Sequence, residues 1–471
     1  MSIIGHSRQE LCHFSRHFTV EALCLGKTDD SINAALEASG RGKQRVSPLQ
    51  PKLMMWLVLC LPIFRSDSIP AVLARLLNGL REFLLALSLR VIDDDAIAHA
   101  RKRLGVDPVR RFFRLQAAGI QPAPSFHGLR VWSLDGSMLT MPDTPENREV
   151  FGLVKASRGR AAFPQLKIVG LQDVVSRRFR DVTFRLWKAA EREMALPLLG
   201  HLGEGDLVLM DRGFYGAWFF EAVRRQRSHF LCRVPGFVKF KAIPGASKKS
   251  GDYLAWIEAP VGPLPEEQSV PKGPGRPALY RWIRMLVRVI EYQVRGFERV
   301  RLVTSLLGRS ISARDLVLEY HRRWEIELAL DELKTHQSSA AGGTLKTIFR
   351  SHTPRNVMQE AYALVAAYNL VRSTLTEAAG RHDLDPYKIS FVGTLRAISL
   401  ILPRMRGAPS HRLLALHDQL LLDIAEAKID RPRRPRWYPR VVKRKMSNYQ
   451  LKRSSHHEIQ IDFKSRIRIG A

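Results

Sequence analysis

Between residues 128 and 234 the apolar period of the chain changes from that of helices to that of strands, and the order of elements that follows leaves few folds open. "LRVWSLDG" is one candidate strand. "FPQLKIVGLQDVVS" and "RRFRDVTFRLW" are two more, joined by a short polar turn, and read as an antiparallel meander. "KAAEREMALPLLGHL" reads as a helix, "GDLVLMDRG" as a short strand buried on both faces, "AWFFEAVRRQ" as a helix and "SHFLCRV" as another strand. The order is strand, strand, strand, helix, strand, helix, strand: an α/β pattern.

The flanks are different. From about Asp29 to Gln116 the runs "DSINAALEASG", "PLQPKLMMWLVLCLPIF", "SIPAVLARLLNGLREFLLALSL" and "DDDAIAHARKRLGVDPVRRFFRLQ" have helical spacing and look like a separate helical domain. From Pro235 to about Arg299, Gly, Pro and Lys mix with alternating β-type runs, as in an inserted antiparallel element. "RVRLVTSLL" reads as a further strand, and "SARDLVLEYHRRWEIELALDELKTHQ" as one long helix with Ser312 as its N-cap. Helices follow, then a mostly basic tail. The boundaries expected are 1–122 for the N-terminal helices, 123–234 and 300–380 for the two parts of the core, 235–299 for the insertion and 381–471 for the C-terminal region.

With 471 residues, 45% of them hydrophobic, the chain has enough apolar material for at least one sizeable core. A net charge of +30 exceeds what solubility needs and points to a polyanionic partner, nucleic acid before an anionic membrane surface. The strongest apolar run, "LMMWLVLCLPIF", falls short of the roughly 20 residues of a spanning helix and contains Pro62, so it reads as a buried helix. The N-terminus has no secretory pattern, and Cys12, Cys24, Cys60 and Cys232 form no C-x-x-C pair. A reducing cytoplasm is the expected compartment.

Asp135 ends the first strand before Gly136, and Asp211 ends "DLVLMD" before Arg212 and Gly213. Singly, each reads as a turn device. If the two strands are neighbours, both carboxylates emerge at one end of the sheet about 5 Å apart, where they repel unless a cation lies between them. Such oxygen donors suit Mg²⁺ or Mn²⁺, and a third acid would complete a two-metal site. Glu327 is the best candidate, with Asp331 its competitor. Glu327 lies in "EYHRRWEIELALDELK", where Tyr320, Arg323, Trp324, Glu327, Asp331 and Lys334 fall three and four apart, on one helical stripe. As a plain surface helix, the Arg323–Glu327 pair would contribute about 0.3–0.5 kcal/mol, but Glu327 would repel Asp331 and Trp324 would sit exposed among charges.

"LDGS" at Leu134, "LVLMDRGFYG" at Leu207 and the Tyr-x2-Arg-x3-Glu-x6-Lys series of Tyr320, Arg323, Glu327 and Lys334 resemble the three signature regions of insertion-sequence-four-type DDE transposases. "PDTPENREVFG", "FRSHTPRNVMQE" and "YPRVVKRKMSNYQLK" are similar to that family too, so the resemblance spans roughly residues 30 to 455. It implies an RNase H-like mixed sheet flanked by helices, with an inserted β-rich domain, an N-terminal helical DNA-binding domain and a helical, basic C-terminal region. It implies a triad of Asp135, Asp211 and Glu327 holding two Mg²⁺ ions, and contacts of Tyr320, Arg323 and Lys334 with DNA phosphate. It also implies cut-and-paste transposition through a hairpin, with terminal repeats and target DNA as substrates and a homodimer in the active complex.

Some members stack a flipped base on a tryptophan of the insertion; spacing does not choose between Trp256 and Trp282, and a core role is the more ordinary one for either. The basic stretches "RKRLGVDPVRRFFR", "RPRRPRWYPR" and "VKRKM" read as phosphate contacts without sequence information. His321, His352, His456 and His457 read as surface or DNA-contact residues. Two alternatives share the same residues: an RNase H-like nuclease without strand transfer, and a DNA-binding relic without activity.

Overall fold

The computed structural model describes residues 27–42, 49–65, 67–77, 94–156, 159–263, 280–294, 299–337, 349–405, 410–429 and 467–470. The first 26 residues, the second half of "SIPAVLARLLNGLREFLLALSL", the tip of the insertion and the basic tail to residue 466, with His456 and His457, lie outside them.

Helices α1 (Lys27–Ala38), α2 (Pro51–Cys60), α3 (Ile69–Leu77), α4 (Asp94–Leu104) and α5 (Asp107–Ala118) form the N-terminal part. The apolar run behaves as a buried helix: every residue of α2 from Met54 to Cys60 is inside. Strand β1 (Arg130–Thr140) and helix α6 (Pro145–Phe151) follow, then a hairpin of β2 (Lys155–Ala156) and β3 (Gly159–Arg160). Next come β4 (Gln165–Asp173), β5 (Phe179–Leu186), α7 (Glu191–Ala195), β6 (Asp206–Met210), α8 (Ala217–Arg225) and β7 (His229–Arg233). The predicted helix over "KAAEREMALPLLGHL" is a single α-turn that tightens into a 3-10 segment at Leu196–His201, where Pro197 removes a donor.

The insertion supplies β8 (Lys241–Ala242), β9 (Asp252–Pro263) and β10 (Tyr280–Val294), after which β11 (Val300–Thr304) returns to the core. Helices α9 (Ala313–His321), α10 (Trp324–Asp331), α11 (Pro354–Arg381), α12 (Phe391–Met405) and α13 (Ser410–Glu426) and a last strand β12 (Ile467–Ile469) complete the chain.

The main sheet runs β5-β4-β1-β6-β7-β11-β10-β9-β8, with β12 added to β10. Strands β1, β4 and β5 are antiparallel, whereas β6 lies parallel to β1 and β7 parallel to β6. This is the RNase H-like arrangement, and its central strand β6 is buried along its whole length. The inserted strands continue the same sheet rather than making a second one.

The helical spacing reads as a separate domain, but among the described residues the N-terminal helices form no core of their own. They share one apolar cluster with the sheet and with α11, whose 28 residues are mostly buried. Two side chains lock this helix to its neighbours. Asn369 exchanges two 2.8 Å hydrogen bonds with the backbone of Phe179 in β5, and Gln359 donates to the carbonyls of Arg101 and Gly105 at 2.7 Å. Each leaves a backbone group satisfied that packing would otherwise strand.

Candidate active site

The parallel register of β1 on β6 ends with Leu134 opposite Met210, so Asp135 and Asp211 are the next residues on each strand and stand side by side. Asp211 leaves the sheet there, capping a one-turn 3-10 helix through a 2.7 Å bond from the Gly213 N–H. Asp135 does not end its strand. β1 continues to Thr140, paired only with β4, because Asp135–Gly136 makes no turn: the carboxylate Oδ1 accepts the Gly136 N–H at 2.8 Å in extended backbone. Asp135 emerges at the site because β6 stops beside it.

The third region departs from a straight helix. Ser312 caps α9 as expected, accepting the Asp315 N–H. After His321 the chain tightens: Arg322, Arg323, Glu325 and Ile326 each bond the carbonyl three residues back, before α10 resumes. Three residues per turn instead of 3.6 break the predicted six-residue stripe. Beyond α10 the helix widens into a π-turn over Glu332–His336, closed by Gln337 N–H to Glu332 O at 2.8 Å. A tight turn before Glu327 and a wide one after it re-aim the side chains on either side.

The result is an ionic bridge across the sheet end. Arg323 donates through Nη1 to Asp135 Oδ2 at 3.2 Å and through Nη2 to Glu327 Oε1 at 2.5 Å. Its guanidinium is 5.6 Å from the Trp324 ring centroid and 6.0 Å from that of Tyr320, and its buried Nε finds no acceptor. Trp324 is half-buried under this cation rather than exposed. Lys334 reaches β1 from the π-turn, its Nζ donating to Ser137 Oγ at 2.8 Å. Tyr320 is 6% exposed and packs with Phe126, Val131 and Leu316 beneath the bridge; burial pushes its hydroxyl well above the usual range. Asp331 accepts the hydroxyl of Thr335. His321 is half-buried rather than open to solvent, and sits against the Tyr292 hydroxyl.

Charge at this end is under-compensated. The Asp135 carboxyl is pushed up to about 7, first by burial and then by the charges of Asp211 and Glu327, against the pull of Arg323 and the Gly136 N–H. Among the described residues no three Asp, Glu, His or Cys side chains converge closely enough, as they stand, to hold a metal ion. The guanidinium lies between two of the three acids instead. The donors nonetheless suit a hard divalent ion: oxygen ligands on rigid elements, with negative charge that one buried cation already serves.

Sequence reading missed the supports. Glu332 opens the π-turn and is held by Arg372, by Arg177 at 2.9 Å and by the Tyr368 hydroxyl at 3.0 Å, all buried; Arg177 also binds Glu325. It also missed Ser137, two residues beyond Asp135 on the same strand face, which strand alternation would have found. Glu191, at the start of α7, was missed too; its carboxyl is raised by burial and then by Asp211.

Comparison with known proteins agrees with the sequence motifs. The family described as Transposase DDE domain matches residues 127–370, which contain all six candidate residues, and Insertion element 4 transposase N-terminal matches residues 20–114. The transposase InsG for insertion sequence element IS4 of Escherichia coli (strain K12) is 28% identical over 432 residues, 89% of this chain and 90% of that protein. The putative transposase InsZ of the same strain is 30% identical over 126 residues, 26% of this chain and 42% of that protein. A solved piggyBac transposase synaptic complex with hairpin DNA superposes with a TM-score of 0.42 at 12% identity, covering 86% of this chain and 84% of that one. The chain belongs to the insertion-sequence-four family of DDE transposases and is a DNA transposase of the DDE type.

Proposed function

We propose that the enzyme cleaves DNA at insertion-sequence ends and joins those ends to target DNA by cut-and-paste through a hairpin, using Asp135, Asp211 and Glu327. The observation that carries this reading is the Arg323 bridge: a cation already joins Asp135 to Glu327 where β6 stops beside β1, next to Asp211. The three carboxylates would hold two divalent ions, Mg²⁺ or Mn²⁺, which supply activation of the attacking oxygen and stabilisation of the leaving one.

The remaining residues act on DNA. With its carboxylates otherwise engaged, Arg323 has a planar fork free for a phosphate, and Lys334 a point charge. Tyr320 lies under the guanidinium, so it reaches a phosphate only after Arg323 swings outward. Both ends of an element must be cut and joined together, which calls for at least two copies of the chain in the active complex. The N-terminal helices are the expected readers of terminal-repeat sequence, and the net charge of +30 serves phosphate binding without sequence preference. No helix among the described residues is long and apolar enough to cross a membrane.

The test supplies purified protein and Mg²⁺ with DNA carrying the element's own ends. Cleaved ends, hairpins and joined products support the proposal. Cleavage without joining would favour the nuclease reading, and tight binding without cleavage under any divalent ion would leave a DNA-binding relic.

A further inference from the structure

The Arg323 guanidinium lies in a seat built for it. The tightened turn at Arg322–Ile326 brings it over the sheet, the rings of Trp324 and Tyr320 flank it, and its side chain is 8% exposed. Strand alternation puts it on the face that carries the acids. Val131 of β1 and Leu209 of β6 pack in one cluster with Tyr320. Asp135 and Asp211 lie four and two residues further along in extended backbone, and so point the same way.

Both terminal nitrogens are engaged, Nη1 with Asp135 Oδ2 and Nη2 with Glu327 Oε1. The guanidinium therefore fills the space between two acids that an ion joining them would take. The seat is also incomplete, because the buried Nε finds no acceptor. A buried donor left unpaired carries a cost that an outward position beside a phosphate would remove, since the planar fork matches phosphate oxygens. Arg323 thus has one set of donors and two claims on it: the carboxylates when the site is closed, and DNA phosphate when they are otherwise engaged.

We propose that Arg323 is an autoinhibitory latch: without DNA it joins Asp135 to Glu327 and holds the divalent-ion site closed, and a phosphate of end DNA draws it outward and opens that site. This rests on the site assignment given above and adds its regulation. End-DNA binding and ion binding then strengthen each other by the same factor, as linkage requires. Protein away from an element end is kept from cutting, because its acids are occupied by its own arginine.

The test has two arms on the full-length protein. In the first, calorimetric titration measures Mn²⁺ binding without DNA for wild type, Arg323→Gln, Arg323→Lys, Lys334→Gln, Asp135→Asn and Glu327→Gln. Lys334 bonds Ser137 rather than an acid, so its variant removes the same charge outside the bridge. Arg323→Gln is expected to bind Mn²⁺ about tenfold tighter or more, and Lys334→Gln to stay within about twofold of wild type. Arg323→Lys keeps the charge but loses the fork, so it too should bind tighter, and it decides this arm if the melting curve shows that Arg323→Gln fails to fold. In the second arm, fluorescence anisotropy measures end-DNA binding in metal-free buffer. Glu327→Gln takes one acceptor from Arg323 and should bind DNA several-fold tighter than Asp331→Asn, which removes an equal charge one turn away. Arg323 variants that bind Mn²⁺ no tighter than Lys334→Gln, while Asp135→Asn binds it more weakly than wild type, would overturn the latch and leave the site standing. Equal DNA binding by Glu327→Gln and Asp331→Asn would overturn the exchange with phosphate. Wild-type Mn²⁺ binding in Asp135→Asn and Glu327→Gln would overturn the site assignment itself.

Discussion

Replacing Glu332 by glutamine tests whether the buried network behind the site holds the third region in place. Glu332 and Arg372 are each 2% exposed and Arg177 is 4% exposed, so the carboxylate neutralises two guanidiniums away from water. The glutamine keeps the shape but removes the charge. Arg177 retains the Glu325 carboxylate, whereas Arg372 is left without a carboxylate among the described residues and keeps the Tyr368 hydroxyl, at 3.1 Å. Removing one partner of a buried pair costs about 3–5 kcal/mol, a large share of the roughly 5–15 kcal/mol by which folded domains are stable. Glu325 is 18% exposed and serves one arginine that keeps Glu332, so Glu325→Gln should cost about 1 kcal/mol. Urea unfolding of the full-length protein, followed by circular dichroism, measures both. A loss below about 1 kcal/mol in Glu332→Gln, or an equal loss in Glu325→Gln, would refute the assignment of this network as the clamp on the π-turn.

Other outcomes follow from the same geometry. Lys334→Met should leave unfolding free energy within about 0.5 kcal/mol of wild type while weakening end-DNA binding and lowering its salt slope by about 1; fluorescence anisotropy over a salt series measures this. Burial, helped by Arg323 and Arg233, pushes the His321 imidazole down to about 3 from its usual 6.5. The unfolded histidine therefore takes a proton that the folded one refuses, so its contribution to stability is complete above pH 6.5 and is lost as pH falls towards 3. His321→Gln should remove about 1.4 kcal/mol per pH unit from the acid slope of stability within that window.

The sheet was largely legible because each strand carries its own local period: the meander, the buried "DLVLM" and the helices between them need no distant information to be read. The position of Asp135 was misread because an Asp-Gly pair looks like a turn, and only the unequal lengths of β1 and β6 show that a strand can pass a neighbour and still expose a residue there. The break at Arg322–Arg323 was invisible for a different reason. Both arginines are good helix formers in a helical pattern, and what tightens the chain is the tertiary pull of Asp135 on Arg323. Arg177, in a positive-φ turn between β4 and β5, has no local signal for its role, since Glu332 lies 155 residues away.

The most direct test of the site is single-turnover cleavage of end DNA by Asp135→Asn, Asp211→Asn, Glu327→Gln and Asp331→Asn. The first three should fall to background with folding intact, whereas Asp331→Asn, whose side chain binds Thr335, should still cut. Cleavage that survives Glu327→Gln but vanishes in Asp331→Asn would contradict the assignment of the third acid, and cleavage that survives Asp135→Asn would contradict the site as a whole.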